Sequence, residues 1–131
     1  IATGEDDGSV RIWDVHSGAC LFERHTDSGT AFRVRFSPDG RHLASAHQDG
    51  TVFEYCVEPL AAGGASASAS GRGDEVRAPL RLEGTNKPVY CLRYHPEGRR
   101  LATGDTGGTV ALWRLAGGRL HLNDARTEAT A

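Results

Sequence analysis

Phe36-Ser37-Pro38-Asp39-Gly40, Leu43-Ala44-Ser45-Ala46 and Gln48-Asp49-Gly50-Thr51-Val52-Phe53-Glu54-Tyr55 decide how this chain folds. Pro38 presets φ and Gly40 can take a positive φ, so the first run ends in a tight turn. Asp49-Gly50 between two short apolar runs is a hairpin signal. The stretch therefore reads strand, turn, strand, turn, strand.

The same unit returns at Tyr94-His95-Pro96-Glu97-Gly98, Leu101-Ala102-Thr103-Gly104, Gly107-Gly108-Thr109-Val110 and Trp113. The distance between the flanking aromatics is 19 positions in both copies, Phe36 to Tyr55 and Tyr94 to Trp113. An incomplete copy stands 42 positions earlier, in Ile1-Ala2-Thr3-Gly4, Asp7-Gly8-Ser9-Val10 and Trp13. Such shared offsets mark an internal repeat.

Composition agrees with an all-β chain. Of 131 residues, 17 are Gly and 38% are hydrophobic, which suits short strands and turns. No apolar run approaches the roughly 20 residues of a membrane helix, and no stretch reads as a signal peptide. The start at Ile1, inside a strand pattern, is expected of a piece of a longer protein. A net charge of −2 gives no electrostatic case for nucleic acid. Cys20, Cys56 and Cys91 lack metal-like spacing and read as buried, reduced thiols of an intracellular protein, cytoplasmic or nuclear.

In order, residues 1–4 end one strand, Ser9–Asp14 form the next, and Ala19–Arg24 a polar outer one. Phe32, Val34 and Phe36 alternate with Arg33 and Arg35. Strands at His42–Ala46 and Thr51–Val57 follow. Glu58–Val76 breaks the rhythm. Trp13 to Phe36 spans 23 positions but Tyr55 to Tyr94 spans 39, an insertion of 16. Its Ala/Gly/Ser composition predicts a flexible surface loop. An outer strand resumes at 78–82, then Val89–Tyr94, Arg99–Gly104 and Thr109–Leu115. Arg119–Leu122 reads as a last strand, and 123–131 as a polar tail or loop.

A repeat of about 42 residues closing on Asp7-Gly8-Ser9-Val10-Arg11-Ile12-Trp13-Asp14 resembles the WD40 repeat. The resemblance implies a partial β-propeller of four-stranded antiparallel blades. It divides the chain into a partial blade (1–24), a blade carrying the 58–76 insertion (25–82), a blade (83–122) and the tail. It also implies a structural hydrogen-bonded network in each blade. By position this takes His25, Ser45, Asp49 and Tyr55 in the middle blade, and Thr3, Asp7 and Trp13 in the first. The last blade has Glu83, Thr103, Gly107 and Trp113 at the four positions, which leaves its network without His and Asp.

His25, Ser45 and Asp49 share the residue types of a catalytic triad, but geometry defines a triad and no Gly-x-Ser-x-Gly elbow is present. Gly104-Asp105-Thr106-Gly107-Gly108 lacks the Lys-Ser/Thr of a phosphate loop. Arg72-Gly73-Asp74 is read as a coincidental match to the adhesion tripeptide. The six His residues have no metal-site spacing. No catalytic residue, cofactor site or metal site is assigned.

The resemblance instead implies partner binding on the face made by the hairpin turns and the start of each innermost strand. Those positions are Asp6, Gln48 and Thr106 in turns, and Thr30, Phe32, Pro88 and Tyr90 at strand starts. Arg33, Arg35 and Arg93 form a basic row on the innermost strands. The expected function is a non-enzymatic scaffold for protein or peptide partners in a multi-subunit complex, without membrane or direct nucleic-acid binding. The alternative is a regulatory or targeting propeller attached to a kinase or NTPase module.

Overall fold

A computed structural model describes the backbone of residues 1–57, 79–116 and 119–127, and the side chains of 1–57 and 79–114. The insertion expected over 58–76, including Arg72-Gly73-Asp74, lies outside the described residues.

Among the described residues every element is a strand: β1 (Ala2–Gly4), β2 (Val10–Trp13), β3 (Cys20–Arg24), β4 (Ala31–Phe36), β5 (His42–His47), β6 (Thr51–Cys56), β7 (Leu80–Glu83), β8 (Val89–Tyr94), β9 (Arg100–Asp105), β10 (Thr109–Ala116) and β11 (Arg119–Thr127). They form three antiparallel sheets in chain order, β1-β2-β3, β4-β5-β6-β7 and β8-β9-β10-β11. The chain is all-β and builds a partial propeller, with fewer blades than the roughly four to eight of a closed ring. Among the described residues no helix is long and apolar enough to cross a membrane.

The repeat is visible in the register. Leu43 pairs with Tyr55, and Leu101 with Trp113. A shift falls at Ile12/Trp13 between β2 and β3, and at the matching Leu112/Trp113 between β10 and β11. One expectation is corrected here. The last strand does not stop at Leu122 but runs to Thr127, because β10 extends over eight residues and offers backbone partners back to Thr109.

Side chains alternate between the two faces of each sheet, and the core lies between sheets. Val10, Ile12 and Phe22 of the first blade pack on Leu43 and Tyr55 of the second. Ala44, Ala46, Val52 and Leu82, from the other face of the second blade, pack on Leu92, Leu101 and Trp113 of the third. Val110 and Leu112 occupy the positions of Val10 and Ile12, yet they are 48% and 43% exposed. Their sheet has no blade beyond it among the described residues.

Glycines let the turns dock. Gly50 has φ +91°, and a Cβ there would collide with the Thr85 carbonyl oxygen. The β5–β6 turn can thus sit against the β7–β8 connection. The cysteines differ from expectation. All three are free, but Cys20 and Cys91 are exposed. Cys20 begins the outer strand β3, and Cys91 lies outside the core that Leu92 enters.

Candidate functional site

The turns after β1, β5 and β9 meet the starts of the innermost strands β4 and β8. Gln48 N donates to Thr30 O at 3.0 Å, and Thr106 N donates to Pro88 O at 3.0 Å. Ala31 N donates to Glu5 O at 2.9 Å, and Thr30 Oγ1 donates to Asp6 O at 3.2 Å. Thr30 therefore bridges the turns of two blades. Asp6, Gln48 and Thr106 keep exposed side chains, while Thr30 and Pro88 are half-buried.

Phe32 and Tyr90, one from each innermost strand, touch across the blade boundary. Their ring centroids are 4.5 Å apart at 44°. Phe32 is half-buried and Tyr90 is 43% exposed. The pair both packs the blades and presents an aromatic surface. Arg33 Nη1 donates to Phe32 O at 3.0 Å, and Arg35 Nη1 donates to Val34 O at 2.9 Å.

Beneath this face lie the hydrogen bonds that hold the turns. Trp13 Nε1 donates to Thr3 Oγ1 at 2.9 Å, and Trp113 Nε1 to Thr103 Oγ1 at 3.0 Å. Asp7 Oδ1 accepts from Ser9 N at 2.8 Å, and Asp49 Oδ1 from Thr51 N at 2.8 Å. Bonds from the Ser9 backbone and side chain hold the Asp7 carboxyl below its usual range. Burial acts to raise Asp49, but bonds from Thr51 and Ser28 outweigh it and leave the carboxyl low.

The middle network has a different histidine from the one the repeat position indicates. His25 Nδ1 lies 3.3 Å from Ser9 Oγ of the first blade. Ser45 meets His47 instead, with Oγ 2.8 Å from Nε2. Burial lowers the His47 pKa and keeps the ring neutral. Its Nδ1 faces the Gly29 carbonyl at 3.2 Å and Thr26 Oγ1 at 3.3 Å. A carbonyl can only accept, so Nδ1 carries the proton and Nε2 accepts from Ser45. Thr26 spends its own proton on Gly8 O at 3.1 Å, which leaves its oxygen free to accept as well.

Tyr55 stands where the other two blades carry Trp13 and Trp113. Its hydroxyl is buried beside Ser45 without making a hydrogen bond, although the Ser45 oxygen that donates to His47 keeps lone pairs able to accept. In the third blade the carboxylate is Asp105, two residues before the position assigned to Gly107. Asp105 Oδ1 accepts from Gly107 N at 2.8 Å and Thr109 N at 2.9 Å, and Oδ2 accepts from Thr85 Oγ1. His47 and Asp105 share one repeat position, the last residue of the strand before the turn. That placement is the signal a template of fixed residue types overlooks.

His25, Ser45 and Asp49 are thus divided among separate hydrogen-bond sets. Among the described residues no group of three or more His, Cys, Asp or Glu is arranged to hold a metal.

Comparisons with known proteins agree with the architecture. Periodic tryptophan protein 2 of Arabidopsis thaliana is 31% identical over 143 residues, covering 86% of this chain and 16% of that protein. THO complex subunit 3 of the same plant is 29% identical over 141 residues, covering 88% and 44%. Protein LST8 homolog of Drosophila melanogaster is 28% identical over 119 residues, covering 87% and 34%. The chain spans less than half the length of each of these relatives. The WD domain, G-beta repeat family matches residues 1–14, 18–55 and 78–114, the second and third segments each beginning on the outer strand of the preceding sheet. With more than half of its residues matched, and with blades in the register described, the chain belongs to the WD40 family.

Proposed function

We propose that this chain is a non-catalytic interaction scaffold that holds a protein or peptide partner on its turn face, within a multi-subunit assembly of the cytoplasm or nucleus. The supporting observation is the Phe32–Tyr90 pair, set among Asp6, Thr30, Gln48, Pro88 and Thr106 and fixed by bonds between turns and strand starts. An exposed aromatic held by a rigid frame suits a binding hot spot. A preformed surface loses little entropy when a partner docks. One relative is named as a subunit of the THO complex, which fits an assembly role.

Tyr90→Ala in the full-length protein tests this reading. Partner affinity in the native complex should fall about tenfold or more, with the circular-dichroism spectrum unaltered because Tyr90 is 43% exposed. Undiminished association by Tyr90→Ala and by Phe32→Ala would refute it.

A further inference from the structure

We propose that the turn face takes an acidic–apolar linear segment. An extended peptide would lay an aromatic or branched apolar side chain on Phe32–Tyr90 and set a carboxylate against Arg33. This rests on the face assigned above and adds the chemistry of the occupant.

Three observations carry it. The aromatic pair supplies an apolar platform across two blades. The exposed Arg33 guanidinium is tethered beside that platform through the Phe32 carbonyl, which uses one of its five N–H donors. Arg33, Arg35 and Arg93 make no ion pair with a carboxylate among the described residues. Arg11 gives the contrast, since Glu5 and Glu23 bracket it. A guanidinium beside an apolar surface favours a carboxylate, which it can engage through two parallel hydrogen bonds.

Other occupants fit less well. A basic peptide would meet the arginine row unscreened. A uniformly acidic one would meet Asp6, exposed on the turn that holds Thr30. A nucleic acid would use the arginines and stack a base on the aromatic pair, but the net charge of −2 offers it no attraction at distance. The pattern favours acidic residues alternating with apolar ones.

The test uses full-length protein and fluorescence anisotropy, with a fluorescein-labelled peptide alternating Asp with Leu and Phe. Two control peptides replace every Asp by Asn or by Lys. The acidic peptide should bind about tenfold tighter than the Asn form, and the Lys form weakest. Arg33→Gln should remove that preference while leaving the Asn peptide unchanged, and Tyr90→Ala should weaken both by about tenfold. Arg33 is exposed, so circular dichroism should show an unaltered fold. Equal or tighter binding of the Lys peptide, a preference that survives Arg33→Gln, or no saturable binding of the acidic peptide would overturn the proposal. If charge has no effect while Tyr90→Ala still loosens the native complex, only the occupant is wrong. If Tyr90→Ala and Phe32→Ala change neither assay, the face itself is wrong.

Discussion

Tyr94→Phe should separate the second and third blades more than the loss of one oxygen suggests. Tyr94 Oη donates to Glu54 Oε1 at 2.7 Å across the boundary between them. Glu54 is buried, and burial pushes its carboxyl above the ordinary value of 4.5 while the Tyr94 bond pulls the other way. Burial and the Glu54 charge raise the Tyr94 phenol, so it remains a donor. Removing the hydroxyl leaves a buried carboxylate without that donor, at a cost of about 2–3 kcal/mol near pH 8. Glu54→Leu with Tyr94→Phe removes both partners and should fall within about 1 kcal/mol of the wild type. The coupling energy of the cycle should then be about 1–3 kcal/mol. Because the folded pKa of Glu54 is raised, its contribution is complete below 4.5 and is lost as pH rises through the folded value. Tyr94→Phe raises that folded value further, so its cost should be smaller near pH 5 than near pH 8. Urea titrations of the full-length protein, followed by tryptophan fluorescence, measure both quantities. A cost below about 0.5 kcal/mol, the same cost at both pH values, or simple additivity in the cycle would refute the reasoning.

Other expectations follow from the networks and the open sheet. The folded pKa of His47 lies below 6.5, so its contribution is present above 6.5 and is lost as pH falls toward the folded value. In a Glu54→Gln background, which removes the opposing carboxyl, His47→Gln should flatten the fall in melting temperature on acidification; parallel slopes would exclude His47 as the titrating group. Asp49→Ala and Asp105→Ala should each destabilise the full-length protein by about 1–3 kcal/mol by stranding the turn donors, and unchanged denaturation midpoints would count against these turn assignments. The 131-residue chain alone should aggregate through the Val110–Leu112 face, and replacing both residues with Lys should raise its soluble fraction. A cooperative, monomeric thermal transition of the unaltered chain would contradict this.

The sequence made legible whatever recurs. Leu43 opposite Tyr55 and Leu101 opposite Trp113 follow from one strand–turn–strand pattern written twice. Contacts in which the copies differ were not legible. His25 follows β3, so its side chain meets Ser9 of the sheet behind it, although its repeat position suggests Ser45. Glu5, His47 and Asp105 share one repeat position but differ in chemistry: Glu5 pairs with Arg11, His47 with Ser45, and Asp105 takes the turn donors that Asp7 and Asp49 hold in the other blades. Glu54 stands where the other blades carry Ile12 and Leu112, and its partner Tyr94 stands where the second blade carries Phe36. This difference has a consequence for assembly. A second blade placed after a copy of itself would set the Glu54 carboxylate against Phe36, which has no hydroxyl to donate. A buried carboxylate without a donor is costly, whereas an apolar pair at the same boundary is not. Recurring residues thus make each blade, while the Glu54–Tyr94 exception favours the third blade as the neighbour of the second.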